Sequence, residues 1–291
     1  MSRAARGHLA MLLFSALVAG SFPLGAAAAN DISPLALNAV RFALAAAIIG
    51  GAVAARGGVP RAARSAPWRY VLLGGIFAVY FVLMFEGLKT AAPVSAAAVF
   101  TLTPVMAAGF GWLLLRQRTG ARIAGALALG AAGALWVIFD ADWGALRAFA
   151  VGQGEWIYFA GCAAHALYTP LVRRLNRGES ALVFTFGTLL AGTVVLVVVA
   201  APAIAATDWT ALPARVWVAI GYTAVFASAA TFTLLQFASL RLPSSKVMAY
   251  TYLVPAWVTV WGLALGAAPP PAGILAGVAL TVVALLILLR D

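Results

Sequence analysis

The sequence predicts an all-α integral membrane protein: ten transmembrane helices in two inverted five-helix repeats, with the N- and C-termini in the cytoplasm. Three observations predict it. Of 291 residues, 64% are hydrophobic and 9% charged, where an ordinary soluble domain carries about 25% charged residues; mean hydropathy is +1.02. The apolar residues fall in ten runs, each close to the roughly 20 residues that a bilayer core requires. The basic residues fall between those runs, and on alternate sides of them.

Taken in order, the first span, 8–28, follows Arg3 and Arg6 and ends at Ala26 to Ala29. A secretory signal peptide has the same outline, but nine further spans follow, and a first membrane helix explains the pattern equally well. Ser33-Pro34 introduces the second span, 35–55, and Gly57-Gly58 closes it. Pro67 precedes the third, 69–88; Pro93 opens the fourth, 93–115; Gly120 precedes the fifth, 121–139. Gly152-Gln153-Gly154 leads into the sixth, 153–172, and Gly178 separates it from the seventh, 180–200. Pro213 and Pro243 precede the eighth, 214–238, and the ninth, 244–266, and Pro269-Pro270-Pro271 precedes the tenth, 272–290. Glycine and proline are the residues that punctuate helices. The loops left over are short and have no room for an appended catalytic domain.

Charge sets the orientation. The net charge of +11 is not a nucleic-acid signature, because the basic residues sit in clusters between apolar spans rather than along one soluble face. With the N-terminus inside, the cytoplasmic set is Arg3, Arg6, Arg56, Arg61, Arg64, Arg69, Arg116, Arg118, Arg122, Arg173, Arg174, Arg177, Arg241, Lys246 and Arg290. Only Lys89, Arg147 and Arg215 fall outside, and Arg41 lies within the second span. Basic residues are retained on the cytoplasmic side, so both termini are expected there, in a bacterial-type inner membrane.

The two halves, 1–144 and 145–291, can be laid over one another. Pro23 precedes Ser33 by ten residues, as Pro170 precedes Ser180. Pro104 in the fourth span answers Pro255 in the ninth, and Ala121-x-x-x-Gly125 answers Gly273-x-x-x-Gly277. Five spans is an odd number, so the second copy enters from the opposite side. Inverted repeats of this kind place substrate near the midplane and supply two related states, one open to each face.

Ser33-Pro34, followed by Asn38-Ala39-Val40-Arg41-Phe42 at the opening of the second span, resembles the "sP…l…Rf" pattern of the drug/metabolite transporter superfamily in its EamA-type branch. Pro104 after an Ala-rich stretch, and Pro255, fit the same resemblance. The second half departs from it: Thr188 stands where Arg41 would recur. The resemblance covers the whole chain. It implies export of small metabolites through a cavity lined by spans one, three, four, six, eight and nine. The aromatic-rich spans are similar to the aromatic amino-acid exporter (YddG-like) subgroup.

Several chemistries are not expected. There is no Gly-Lys pair and hence no phosphate-binding G-x-x-x-x-G-K-[ST], no H-E-x-x-H and no acidic cluster for magnesium. No metal or cofactor is expected, and no catalytic constellation for an enzyme. The lone Cys162 reads as a packed thiol. The expected partners are a small-molecule substrate and the lipid bilayer, with no nucleic acid, and a monomer suffices. Transport then runs on a gradient of substrate or ions. An integral-membrane enzyme and a channel are the competing classes, and the repeat argues for a carrier over both.

Polar residues within spans are costly and are candidates for function. Arg41 and Glu86 share a depth and are expected to pair near the outer mouth as gating or coupling residues. His165 lies past the middle of the sixth span, and histidine is the side chain most easily switched near neutral pH. Lys246 starts the ninth span, where a cation opposes the helix dipole unless an anion is near. Tyr80, Phe81, Met84, Phe100, Tyr168, Thr231, Gln236 and Tyr250 are the remaining cavity candidates. Tyrosine hydroxyls at depth need partners, which favours a cavity or an interhelical bond over lipid. Trp112 lies near a membrane end and reads as an interfacial anchor.

Overall fold

The computed structural model describes residues 3–289. Arg290, the last of the basic residues used to orient the chain, lies outside the described residues. Ten long helices follow in order: α1 (Ala4–Ala28), α2 (Pro34–Ala54), α3 (Trp68–Gly87), α4 (Pro93–Leu115), α5 (Ala121–Ile138), α6 (Gln153–Leu175), α7 (Ala181–Ala206), α8 (Ala214–Ser239), α9 (Ser244–Ala264) and α10 (Ala272–Leu289). Among the described residues, nine of these are long and apolar enough to cross a membrane. The exception is α6. Its 23 residues are long enough, but it carries Glu155, Tyr158, His165, Tyr168 and Thr169 along its length. Those polar groups face protein rather than lipid: Tyr158, His165, Tyr168 and Thr169 are all buried.

The outer surface is apolar, as lipid contact demands. Val194, Val197, Val198 and Val199 of α7 and Leu286 of α10 are all exposed, Val198 by 71%. Patches of that size are not left on a protein in water. Inside, α3 packs most extensively on α6, α5 on α10 and α2 on α7.

The fourth and ninth spans, which carry Pro104 and Pro255, are broken, whereas α6 and α7 run unbroken through Pro170 and Pro202. In α4, the helix Pro93–Phe100 ends and Thr103–Leu115 restarts with Pro104 in its first turn. In α9, Ser244–Ala249 gives way to a short 3-10 turn, and Val254–Ala264 restarts with Pro255 in its first turn. Proline lacks the N–H that a helix interior needs and is accommodated in a first turn. The two breaks meet, with the hydroxyls of Thr103 and Thr251 3.2 Å apart.

The small-residue face of α5 and α10 is shifted from its expected register. A Cβ added to Gly125 would meet nothing within 4 Å, whereas Gly133 and Gly277 face one another. A Cβ on Gly277 would stand 2.8 Å from Val137 Cγ2 and 3.0 Å from the Gly133 carbonyl oxygen. The helices remain close at the Gly125 end, where Arg122 donates to the Ile287 carbonyl at 3.2 Å, so Gly125 lies on a face of α5 that α10 does not cover. Gly277→Leu is therefore expected to lower the melting temperature of the purified protein, at an overpacking cost of about 1–3 kcal/mol, without altering substrate choice. Gly125→Leu serves as the silent control.

Candidate functional site

The buried centre is built by two helical stripes that face each other. On α3, Phe77, Tyr80, Phe81 and Met84 recur at i, i+3, i+4 and i+7, the spacing that keeps side chains on one face. On α6, Tyr158, Cys162, His165 and Thr169 share a face at i, i+4, i+7 and i+11. All eight are buried. The tyrosine hydroxyls meet at 3.1 Å, Tyr80 with Tyr158. The expectation that Tyr80 finds its hydroxyl partner inside the protein is met in this way.

His165 lies in the middle of an aromatic box. Its ring centroid is 4.4 Å from Tyr80, 5.1 Å from Phe77 and 5.2 Å from Phe100, with Phe14 of α1 at 6.4 Å. Phe77 also stacks on Tyr168 at 4.2 Å, nearly parallel, and meets Phe232 of α8 at 4.2 Å. Gln236 of α8 donates its amide N–H to the Tyr168 hydroxyl at 3.0 Å and reaches Thr188 of α7 at 3.5 Å. Six helices therefore converge on this cluster.

Several polar atoms in this region have no hydrogen-bond partner among the described residues. They are both imidazole nitrogens of His165, Gln236 Oε1, Ser239 Oγ and Thr185 Oγ1. Leaving a buried donor or acceptor unmade costs about 1–3 kcal/mol, so native proteins satisfy such groups with protein, water or ligand. An aromatic-walled volume with unmet hydrogen-bonding capacity is suited to a solute that has a ring and polar substituents.

Arg41 lies beside this box and is fully buried. It does not pair with Glu86, as the shared depth had suggested. Glu86 turns toward the end of its own helix and pairs with Lys89 at 2.7 Å, where both are more than 30% exposed. Water at the mouth solvates that carboxylate better than the interior could. Arg41 points inward instead. It donates to Ser228 Oγ at 2.6 Å and to the Ala227 carbonyl at 2.7 Å, with Asn38 Oδ1 at 3.5 Å, and its guanidinium covers the Phe81 ring at 3.6 Å. Ala227 and Ser228 belong to a π-helical segment, Val225–Ala230, inserted in α8. Such bulges leave carbonyls without an i−4 donor and recur at functional sites. No carboxylate among the described residues pairs with Arg41.

The remaining candidates divide. Met84 and Phe100 lie in the same core as Phe77 and Tyr80, and Phe100 stacks on His165. Thr231 is buried in the first turn after the π segment. Tyr250 is buried but belongs elsewhere: its hydroxyl meets His8 Nδ1 of α1 at 3.1 Å, outside the aromatic box. Lys246 is half-buried in the first turn of α9. Trp112 is 54% exposed on α4, as an interfacial anchor would be. The structure adds Phe77, Tyr158, Phe232, Asn38 and Ser228. The α3 stripe that holds Phe77 was readable from its spacing to Tyr80 and Met84; Ser228 was not, because nothing in Val225–Ala230 signals a π segment.

Two ion pairs cap the bundle at opposite ends. At the end that carries most of the basic loops, Arg69 meets Glu179 at 2.7 Å, with side chains only 1% and 5% exposed. Burial alone would raise the Glu179 pKa, but hydrogen bonds from Arg69 and from backbone N–H groups overcome it and hold the carboxyl below its usual range. At the other end Arg215 grips Asp31 through two contacts, 2.5 and 2.8 Å. The hydrogen bond from Arg215 holds Asp31 below its usual range.

Among the described residues, nine bilayer-length helices, a lipid-compatible exterior and a buried polar–aromatic centre mark a multi-pass membrane protein. The sequence matches the EamA-like transporter family twice, over residues 5–139 and 152–290, and the chain belongs to that family, within the drug/metabolite transporter superfamily. It is similar to the "Uncharacterized transporter YyaM" of Bacillus subtilis (strain 168), 27% identical over 262 residues that cover 89% of this chain and 86% of that protein. A solved crystal structure superposes with a TM-score of 0.74 over 99% of this chain and 96% of that one, at 21% identity, which establishes the likeness of fold.

Proposed function

We propose that this transporter exports small organic solutes, with aromatic or hydrophobic amino acids as the favoured class, by alternating access across a bacterial-type inner membrane. In this reading α6 is the tenth span, both termini are cytoplasmic, and residues 1–144 and 145–291 are inverted repeats. No cofactor, nucleic acid or second subunit is required. Export by other members of the superfamily's substrate range, metabolites or drugs, is the alternative that the same assay resolves.

The observation that carries the reading is the box around His165: Phe100 stacked on it, Phe77, Tyr80 and Phe14 tilted around it, and an imidazole with both nitrogens unpartnered among the described residues. A substrate ring gains about 0.5–1.5 kcal/mol from well-placed aromatic neighbours beyond the area it buries. The imidazole supplies a hydrogen bond, and Arg41, a buried cation without a carboxylate, supplies the complement to a substrate carboxylate. Sugar phosphates fit poorly, because they would require several cations at that depth.

The test is uptake of labelled amino acids and drugs into liposomes that hold the purified protein, with and without a proton gradient. Saturable, competable movement of aromatic amino acids is expected; transport confined to other solutes overturns the substrate class. Within that assay, His165→Leu is expected to weaken affinity several-fold, the worth of a neutral hydrogen bond of about 0.5–1.5 kcal/mol. His165→Gln keeps a hydrogen-bonding group but cannot titrate. If the imidazole carries the coupled proton, His165→Gln retains transport and flattens its pH profile.

A further inference from the structure

The two end-capping ion pairs occupy matching positions in the two halves of the chain. Arg69 is the second residue of α3, and Arg215 is the second residue of α8. Glu179 directly precedes Ser180, the N-cap of α7, and Asp31 lies two residues before Ser33, the N-cap of α2. In each half an acid stands just ahead of the second helix and an arginine opens the third. Each arginine reaches across to the acid of the other half. A cation in the first turn opposes the helix dipole, so neither arginine is placed there for the sake of its own helix. Connectivity puts the start of α3 and the start of α8 at opposite ends of the bundle.

A cleft lies beside each pair. One of about 350 Å³ is lined by Glu179, Ser180, Ser65 and Pro60; the other, of about 450 Å³, by Asp31, Ser33, Asp208 and Pro213. Between them the aromatic centre is closed to both ends: Tyr80 and Tyr158 are 0% exposed and His165 1%. Both pairs are formed at once, which makes this an occluded arrangement.

We propose that Arg69–Glu179 and Asp31–Arg215 are the two alternating latches of the transporter, that each open state breaks one and keeps the other, and that the Asp31 end opens more readily. This rests on the alternating-access reading given above. The inequality comes from their surroundings. Arg69 also donates to the carbonyls of Leu175 at 2.5 Å, Ser65 at 3.0 Å and Ala66 at 3.3 Å. Breaking it strands a buried charge and several carbonyls, which is strongly unfavourable. The Arg215 side chain is 59% exposed and Asp31 20%, so water replaces their contact at small cost. The closed end at rest is therefore the one with the basic loops.

The chain holds one cysteine, Cys162, buried one turn from His165, so the native protein already carries a reporter at the aromatic centre. Its labelling by a membrane-impermeant methanethiosulfonate is followed from each face separately, in right-side-out and inside-out vesicles. In the parent, labelling is expected to be faster from the Asp31 face and slowed by bound substrate. Asp31→Asn should speed labelling from that face alone, by roughly two- to five-fold. Glu179→Gln should speed it from the opposite face alone, by roughly ten-fold or more. Exchanging the outer charges, Asp31→Arg with Arg215→Asp, should restore the parent rate. If Glu179→Gln does not assemble, Arg69→Lys, which keeps a pair but loses the fan of carbonyl contacts, is read for the same one-sided increase. Neutralisations that change labelling equally from both faces, or from neither, overturn the latches. A parent labelled from one face at a time and protected by substrate, yet indifferent to these substitutions, sinks the latches and leaves alternating access standing. A parent whose Cys162 reacts freely from both faces at once sinks both.

Discussion

Arg41→Ala is expected to remove most of the folded protein from the membrane. The substitution leaves the Ala227 carbonyl and the Ser228 hydroxyl of the π segment without their donor, and it uncovers the Phe81 ring. Each stranded buried polar group costs about 1–3 kcal/mol, and the vacated volume adds a cavity cost. Together these approach the whole stability of a typical domain, about 5–15 kcal/mol. Thermal melting of detergent-purified protein measures it; a melting temperature equal to the parent's would show that Arg41 is dispensable to the fold. Arg41→Lys separates the fold from the site. It keeps the charge but not the planar fork that reaches Ser228 and Ala227 together. Folded Arg41→Lys is expected to lose its preference for phenylalanine over the matching carboxylate-free amine, whereas a purely structural arginine would lower transport of both alike.

The second large effect is a single methyl group. Gly74→Ala in α3 would place its Cβ 2.5 Å from the Gly192 nitrogen and 2.6 Å from the Thr188 carbonyl oxygen of α7. Both are backbone atoms inside a helix, so no rotamer change relieves the clash and the helices must separate. That separation would disturb Thr188 and, through Gln236, the Tyr168 side of the aromatic box. Overpacking of this kind costs about 1–3 kcal/mol and more where the backbone cannot yield. Gly75, the next residue, has no neighbour within reach. Gly75→Ala is expected to be neutral or stabilising, because alanine is the better helix former by about 0.8–1.0 kcal/mol. Equal melting temperatures for Gly74→Ala and Gly75→Ala would show that α3 and α7 do not approach closely in the membrane.

Much of the site was legible because one helical stripe carries it. Tyr80, Phe81 and Met84 share a face by spacing alone, and His165 and Tyr168 stand out as polar groups in an apolar run. What the sequence could not convey was direction. Glu86 and Arg41 have the same depth, yet one turns to the water at its helix end and the other turns to α8. Tyr250 has the same chemistry as Tyr80, yet it is claimed by His8 rather than by the box. The π segment left no trace in Val225–Ala230, since alanine, valine and serine form an ordinary helix equally well.

The class of protein, its bilayer-length helices and the basic clusters between them follow from the sequence by itself. Each depends on local composition: apolar length, and a charge between spans. Which polar groups meet depended on the tertiary structure alone. Arg41 on Ser228, Arg69 on Glu179, Arg215 on Asp31 and the rings around His165 join residues from 65 to 187 positions apart along the 291-residue chain. Partners so distant are chosen by how helices tilt and approach, and that is set by backbone contacts such as Gly74 on Gly192, whose glycines look in the sequence like any others.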